Sequence, residues 1–288
     1  RLKMADLPER AEPIETRATS APGFKIENVY VMAGVPSIAQ AMLDQLPNVR
    51  IVCADNGVSG DFRVRELTPL VSRDGNLSTR TRIKEHGAMM WVDPSEAYFS
   101  ARLSTQRQES LERLQSFRQR LGRGLVVADP YAGVGPSLPL LLSEPDLLSG
   151  YLAGDLNPKA VDLLRLNVEI WSAKHGGELN PALQVCDDAR AWQHDPMRSG
   201  IADALLVNLP HDSLAHLPDL LPILNQSGER LLRGWAIVER ASLPQTKEDL
   251  IAIAEGAGAT AQSVEVEEIK GFSTTRCFIA FNLILAWE

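Results

Sequence analysis

Residues 125–170 constrain the fold of this chain more than any other stretch. They contain LVVADPYAGVGPSLPLLL and then GYLAGDLNPKAVDLLRLNVEI. An apolar run ends in Asp129, a tight turn (Ala132-Gly133-Val134-Gly135-Pro136) follows, and a Leu-rich helical stretch comes next. A second apolar run ends in Asp155 and gives way to an amphipathic segment. Strand, glycine turn, helix, strand, acid is the order of a nucleotide-type cofactor site in an open parallel sheet.

The two glycines let a ligand approach the backbone and permit a positive φ that a side chain would discourage. Asp155, at the end of the second strand, is placed to accept hydrogen bonds from two vicinal ribose hydroxyls. A dinucleotide fingerprint needs a third glycine for its pyrophosphate turn, and here Pro136 follows Gly135 instead. A cofactor with a ribose and no phosphate fits better, and S-adenosylmethionine is the one expected.

The alternation of strand and helix continues to the end of the chain. Strands are expected at 125–128, 151–154, 182–186, 204–208 and 231–238. Helices are expected at 137–143, 158–171, 214–224 and 247–257, with Asn157 and Pro158 as the N-cap and first residue of the second. Segments 263–269 and 276–285 read as a closing antiparallel hairpin. Such alternation implies a mostly parallel sheet with helices on both faces. Ligands then sit just past the strand ends, at Asp129, Asp155, Asp187-Asp188 and Asn208-Leu209-Pro210. Asp188 is read equally as an adenine contact and as a turn cap. The Asn208 amide both donates and accepts, so it can read the edge of an amide-like base, and Pro210 stiffens its turn.

The preceding residues divide into an N-terminal segment, 1–47, and a smaller α+β unit, 48–120, before the main domain at 121–288. In the first, 29–32 reads as a strand, Gly34-Val35-Pro36 as a turn, and Ser37 as the N-cap of a helix at 38–46. In the second, strands are expected at 50–53, 61–67 and 89–92, separated by Asn56-Gly57 and Asp74-Gly75-Asn76. A polar helix at 104–120 follows, with Leu111, Leu114 and Phe117 on one stripe.

Composition narrows the partners. The net charge of −8 speaks against a generally adhesive nucleic-acid binder. A local run of twelve cations between Arg63 and Arg123 still provides the clustering that phosphate neutralisation needs. No apolar run approaches the ~18 residues of a membrane span. Cys53, Cys186 and Cys277 are scattered without a C-x-x-C, which indicates neither disulfides nor a zinc site and makes a reducing cytoplasm the expectation. His86, His211 and His216 lack metal-ligand spacing and are read as surface or supporting residues. The chain opens on Arg1 and is expected to be a fragment or processed product; a monomer is expected.

ADPYAGVGP, GDLNPKAVDLLRLNVE, DDAR and VNLP, in that order, resemble the tRNA (guanine-N1)-methyltransferase family of archaea and eukaryotes, which modifies the guanosine 3′ to the anticodon. FRVREL and IKEHGAMMWVDPSEAYFSARLSTQR are similar to that family's middle domain, so the resemblance covers residues 57–288. It implies a Rossmann-like class I methyltransferase domain preceded by a smaller tRNA-contacting domain. It also implies S-adenosylmethionine as cofactor, held by Asp129, Tyr131, Gly133, Gly135, Asp155, Leu156, Asp187, Asp188 and Asn208. Asn208 would face the guanine edge, Arg63 or Arg65 the guanine or its phosphate, and Arg102, Arg107 and Pro210 the RNA. Methyl transfer is direct and requires no metal. Separately, APGFKIENVYVMAGVPSIAQAML (residues 21–43) resembles the tail of the molybdopterin-binding domain of competence/damage-inducible proteins; no activity is carried over from it.

One position departs from the family's pattern. The glutamate thought to take the N1 proton is replaced by Gln106 in RLSTQR. An amide cannot accept that proton, and general-base help is worth about 10²–10⁴-fold. Glu109, on the same helix face, is the nearest substitute. Two alternatives therefore stand beside the methyltransferase: a tRNA- and cofactor-binding homologue that has lost catalysis, and the aminocarboxypropyl transferase of wybutosine synthesis.

Overall fold

The computed structural model describes residues 12–16, 19–26, 29–31, 36–47, 49–174 and 178–287. The expected turn at Gly34-Val35-Pro36 falls mostly outside them. The chain forms two compact units, Arg1–Leu103 and Ser104–Glu288.

In the first unit, β1 (Glu12–Thr16), β2 (Thr19–Ile26) and β3 (Val29–Val31) form an antiparallel sheet. Helix α1 (Pro36–Leu43) follows. Ser37, expected as its N-cap, lies inside the first turn because the helix begins at Pro36, whose fixed φ suits that position. Two hairpins complete the unit: β4 (Ile51–Ser59) with β5 (Val64–Ser72), and β6 (Thr81–Glu85) with β7 (Ala88–Val92). Ala39 and Leu43 of α1 pack with Val52, Leu70 and Val71. Arg73 donates to the Val49 carbonyl at 2.9 Å and to the carbonyls of Leu46 and Leu43 past the end of α1. Helix α1 thus packs with the β4–β5 hairpin.

The second unit opens with α2 (Ser104–Leu121), which the sequence had placed with the middle segment. Its apolar stripe decides otherwise. Leu111, Leu114 and Phe117 are buried against Leu125, Val127, Leu206 and Leu231 of the large sheet. Then come β8 (Leu125–Asp129), α3 (Leu138–Ser143), β9 (Leu148–Asp155), α4 (Pro158–Ser172), β10 (Ala182–Cys186), β11 (Ala204–Val207), α5 (Ser213–Leu220), β12 (Gly228–Glu239), α6 (Leu243–Gly256), β13 (Thr260–Gly271) and β14 (Arg276–Trp287). The expected helix at 214–224 is shorter, because Pro222 cannot donate an N–H, and its last turn is a 3-10 turn at Leu221–Ile223.

The sheet order is β10-β9-β8-β11-β12-β14-β13. The first five strands are parallel, and β14 joins β12 and β13 antiparallel. Adjacent residues serve opposite faces. Leu206 packs toward α2 and α3, whereas Leu205 and Val207 pack with Trp192 and with Leu217, Leu220, Leu250 and Ala254 of α5 and α6. The order reverses between β8 and β11, the switch point at whose strand carboxyl ends open sheets of this kind place their ligand cleft.

Gly234 of β12 lies opposite Phe281 of β14, and a Cβ there would meet the Phe281 ring at 2.3 Å. Phe281 is fully buried. Gly234→Ala is expected to lower stability by about 1–3 kcal/mol through overpacking, read from urea unfolding. An unchanged midpoint would show that the ring yields freely.

Candidate functional site

The cleft is built from the turn after β8. Ala132 N donates to Gly154 O at 2.8 Å, and Gly133 N donates to Asp155 Oδ2 at 2.9 Å. Gly133 and Gly135 have φ of 58° and 83°, the left-handed region that favours glycine. A Cβ on Gly135 would also strike Leu164 at 2.4 Å. Below the turn, the fully buried Asn167 of α4 donates to Val134 O at 3.0 Å. Asn157 caps α4 by accepting from Lys159 N at 3.0 Å, and Asp155 Oδ1 accepts from Asn157 N at 2.9 Å.

Two carboxylates therefore stand at neighbouring strand tips in a poorly solvated place. Asp129 Oδ1 is buried without a hydrogen-bond partner. Burial pushes the Asp129 carboxyl up to about 7 against a hydrogen bond from the Tyr131 backbone; the Asp155 charge raises it further, and Arg107 lowers it. Burial also raises Asp155, opposed by the backbone N–H groups of Asn157 and Gly133. Tyr131 OH meets His216 Nδ1 at 2.7 Å, and burial raises its phenol. Leu156 is 53% exposed at the mouth. A buried carboxylate oxygen without a hydrogen-bond partner, an exposed apolar side chain and a side-chain-free backbone are features that fit an adenosyl sulfonium cofactor.

Past β11, Asn208 is half-buried. Its side-chain amide makes no hydrogen bond among the described residues. Its loop is fixed by Ile237 N, which donates to Pro210 O at 2.7 Å, and by Asp212 N, which donates to Leu209 O at 3.1 Å. Asp129, Tyr131, Gly133, Gly135, Asp155, Leu156 and Asn208 thus share one end of the sheet.

Other expected residues have prior engagements. Asp188 caps the following turn through Arg190 N at 3.0 Å and pairs with the Arg190 guanidinium at 2.6 Å, which lowers its pKa. Asp187 pairs with Arg198 at 2.8 Å. Arg107, expected to meet RNA, is only 5% exposed and acts on Asp129; burial removes it from a phosphate-facing surface. The expected basic run is likewise reduced on α2. Arg113 pairs with Glu265 at 2.7 Å, Arg120 pairs with Glu229, and Arg118 donates to the Asp146 carbonyl at 3.2 Å. In the first unit Arg102 and Arg63 are exposed, Arg63 at a φ of 51°, and Arg65 pairs with Asp55 at 2.5 Å. Exposed Arg80 and Arg82 stack on Trp91, with guanidinium carbons 5.3 and 5.4 Å from the ring centroid.

Gln106 is 5% exposed within a polar network that the sequence did not reveal. Its Oε1 accepts from Trp235 Nε1 at 2.9 Å and from Arg233 Nη2 at 3.3 Å, and its Nε2 donates to Glu109 at 3.0 Å. Arg233, 1% exposed, also donates to Ser110 at 2.9 Å, Asn282 at 2.7 Å and Glu109 at 3.2 Å. The available signal was an arginine inside the apolar run LLRGWAIV, since buried charges are found paired.

A reversed strand order with an antiparallel pair at one edge, and a ribose-ready acid beside a glycine turn, define a Rossmann-like domain of the class I methyltransferase type. The family profile of the TRM5/TYW2 methyltransferase domain matches residues 81–231, more than half of the chain, and the chain belongs to that family. It is 28% identical over 192 residues to the tRNA (guanine(37)-N(1))-methyltransferase Trm5b of Pyrococcus abyssi, covering 66% of this chain and 51% of that protein. With Trm5b of Methanocaldococcus jannaschii it shares 35% identity over 171 residues, covering 59% and 44%. The chain spans about half the length of these curated relatives. The crystal structure of Pyrococcus abyssi Trm5b matches with a TM-score of 0.68 over 88% of this chain and 69% of that one, at 23% identity, which shows the shared fold.

Asp129 makes stability depend on pH. The unfolded chain gives up this proton near 3.8 and the folded chain near 7. The stability contributed by the proton is complete below 3.8 and is lost as pH rises to about 7. Asp129→Asn, which stays neutral, is expected to raise the melting temperature at pH 8 and to raise it much less at pH 5. No gain at pH 8 would refute the buried acid.

Proposed function

We propose that the chain transfers a methyl group from S-adenosylmethionine to N1 of guanine 37 of tRNA. The observation that carries this reading is the Asn208 amide, half-buried and without a hydrogen-bond partner among the described residues at the tip of β11, beside the tip of β8 with its buried acid. Both relatives named above bear the name of that activity.

When bound, the cofactor supplies an electrophilic sulfonium methyl. Asp155 has lone pairs left for the ribose, Leu156 an open apolar surface for the adenine, and Asp129 a carboxylate for the cationic end. Asp187 and Asp188 border the adenine from their own ion pairs. Asn208 accepts and donates along the guanine edge, with Pro210 stiffening its loop against the RNA. Arg63, Arg65 and Arg102 of the first unit are contacts for the tRNA in this reading. Catalysis is then positioning plus removal of one proton.

Glu109 takes the proton, and Gln106 orients it. The same carboxylate is the counter-charge of buried Arg233, a double duty that makes for a slow enzyme. Gln106 is also the observation that favours a second reading, a tRNA-binding homologue without turnover. The three cysteines are unpaired, and we place the chain in the cytoplasm, as a monomer. Among the described residues no helix is long and apolar enough to cross a membrane.

Nucleoside mass spectrometry of undermodified tRNA incubated with the protein and S-adenosylmethionine should show 1-methylguanosine; retention of tRNA without methylation would favour the second reading. Gln106→Glu puts a second carboxylate beside Glu109, with the Arg233 guanidinium against both positions. If Gln106 limits the reaction, single-turnover methylation should rise at least about tenfold; no gain would show that residue 106 does not limit it. Glu109→Gln should abolish methylation with cofactor affinity unchanged; wild-type rates would remove Glu109 from the mechanism.

A further inference from the structure

The β13–β14 hairpin turns at the same end of the sheet as the cleft, since Arg276 lies opposite Glu239, the last residue of β12. The turn is tightly held. Phe272 N and Ser273 N both donate to Arg276 O, at 2.9 and 3.0 Å, and Arg240 N donates to Thr275 O at 2.8 Å. Arg276 N donates to Ser273 Oγ at 3.1 Å. From this rigid turn Phe272 projects with half of its surface exposed. The Arg276 guanidinium lies over its ring, 5.6 Å from the centroid. His211 meets the ring edge-on at 5.8 Å and 79°. His211 belongs to the Asn208 loop and directly follows Pro210, whose carbonyl is tied to β12.

An exposed aromatic ring, backed by a cation and braced against the loop that presents Asn208, does nothing for the core. Its chemistry is that of a base-stacking surface. A guanine drawn out of an RNA loop leaves its neighbour without a stacking partner, and protein aromatic rings and guanidinium planes replace such lost stacking. We propose that Phe272, supported by Arg276 and His211, is the stacking platform for the RNA nucleobase that flanks the methylated guanine. This rests on the tRNA reading above and names a contact for that same site.

The test uses the full chain, an anticodon stem–loop RNA, and the variants Phe272→Ala, Phe272→Leu and Phe272→Trp. Phe272→Ala and Phe272→Leu should each weaken RNA binding about tenfold, with S-adenosylmethionine affinity and melting temperature unchanged, and Phe272→Trp should restore it. The leucine variant separates stacking from plain apolar packing. 2-Aminopurine placed in turn on either side of the target guanine should be quenched at one position by the wild-type chain and not by Phe272→Ala. RNA binding by the leucine variant equal to wild type, or no quenching at either position by a wild-type chain that binds RNA, would overturn the platform alone. A wild-type chain that binds no RNA would overturn the tRNA reading and the platform with it.

Discussion

Two backbone N–H groups hold this site together. Ala132 and Gly133 donate across the strand gap to Gly154 O and to the Asp155 carboxylate. That pair of bonds ties the turn after β8 to the tip of β9 and brings Asp129 and Asp155 close enough for one charge to raise the other. The turn can fold so tightly only because Gly133 and Gly135 take a positive φ and Gly135 leaves room for Leu164. The acids are thus close and dry by construction, a state in which a cationic ligand relieves both burial and repulsion.

The arrangement of charge follows the same logic of engaged partners. At the amino end of the sheet, buried Asp203 takes both arms of Arg123 at 2.7 and 2.8 Å and accepts from Val126 N at 2.9 Å. The arginines of α2 neutralise acids of their own unit or bind its carbonyls. A chain with a net charge of −8 thereby presents fewer available cations than its composition promises. In the β6–β7 hairpin, Arg80 and Arg82 combine exposure with an aromatic neighbour, a pairing suited to RNA backbone and base alike.

The sheet, its closing hairpin and the acidic strand tips were legible because each is a local pattern. Apolar runs of the right period end in Asp129, Asp155 and Asn208, and Asn157-Pro158 announces α4. What sequence could not show was long-range company. Nothing near Gln106 points to Trp235 or Arg233, more than a hundred residues away in the chain. The run of arginines looked like a surface because their acids, Glu229 and Glu265, lie in distant strands. Asp188 was balanced between capping and binding; it caps Arg190 N, which leaves its adenine contact a proposal. The helix at 104–120 was read with the middle segment because an amphipathic stripe says that a helix packs, and not against what; its stripe packs on the large sheet.

The Arg233 cluster has a mechanical consequence. Oily contacts between a helix and a sheet tolerate small sliding, because one methyl group serves nearly as well as the next. Hydrogen bonds from a guanidinium to Ser110, Asn282, Gln106 and Glu109 are directional and fail within fractions of an ångström. They act as a dowel that seats the first turns of α2 in a single register over β12. Residue 106 therefore keeps one address between Trp235 and Arg233, from which its side chain faces Glu109.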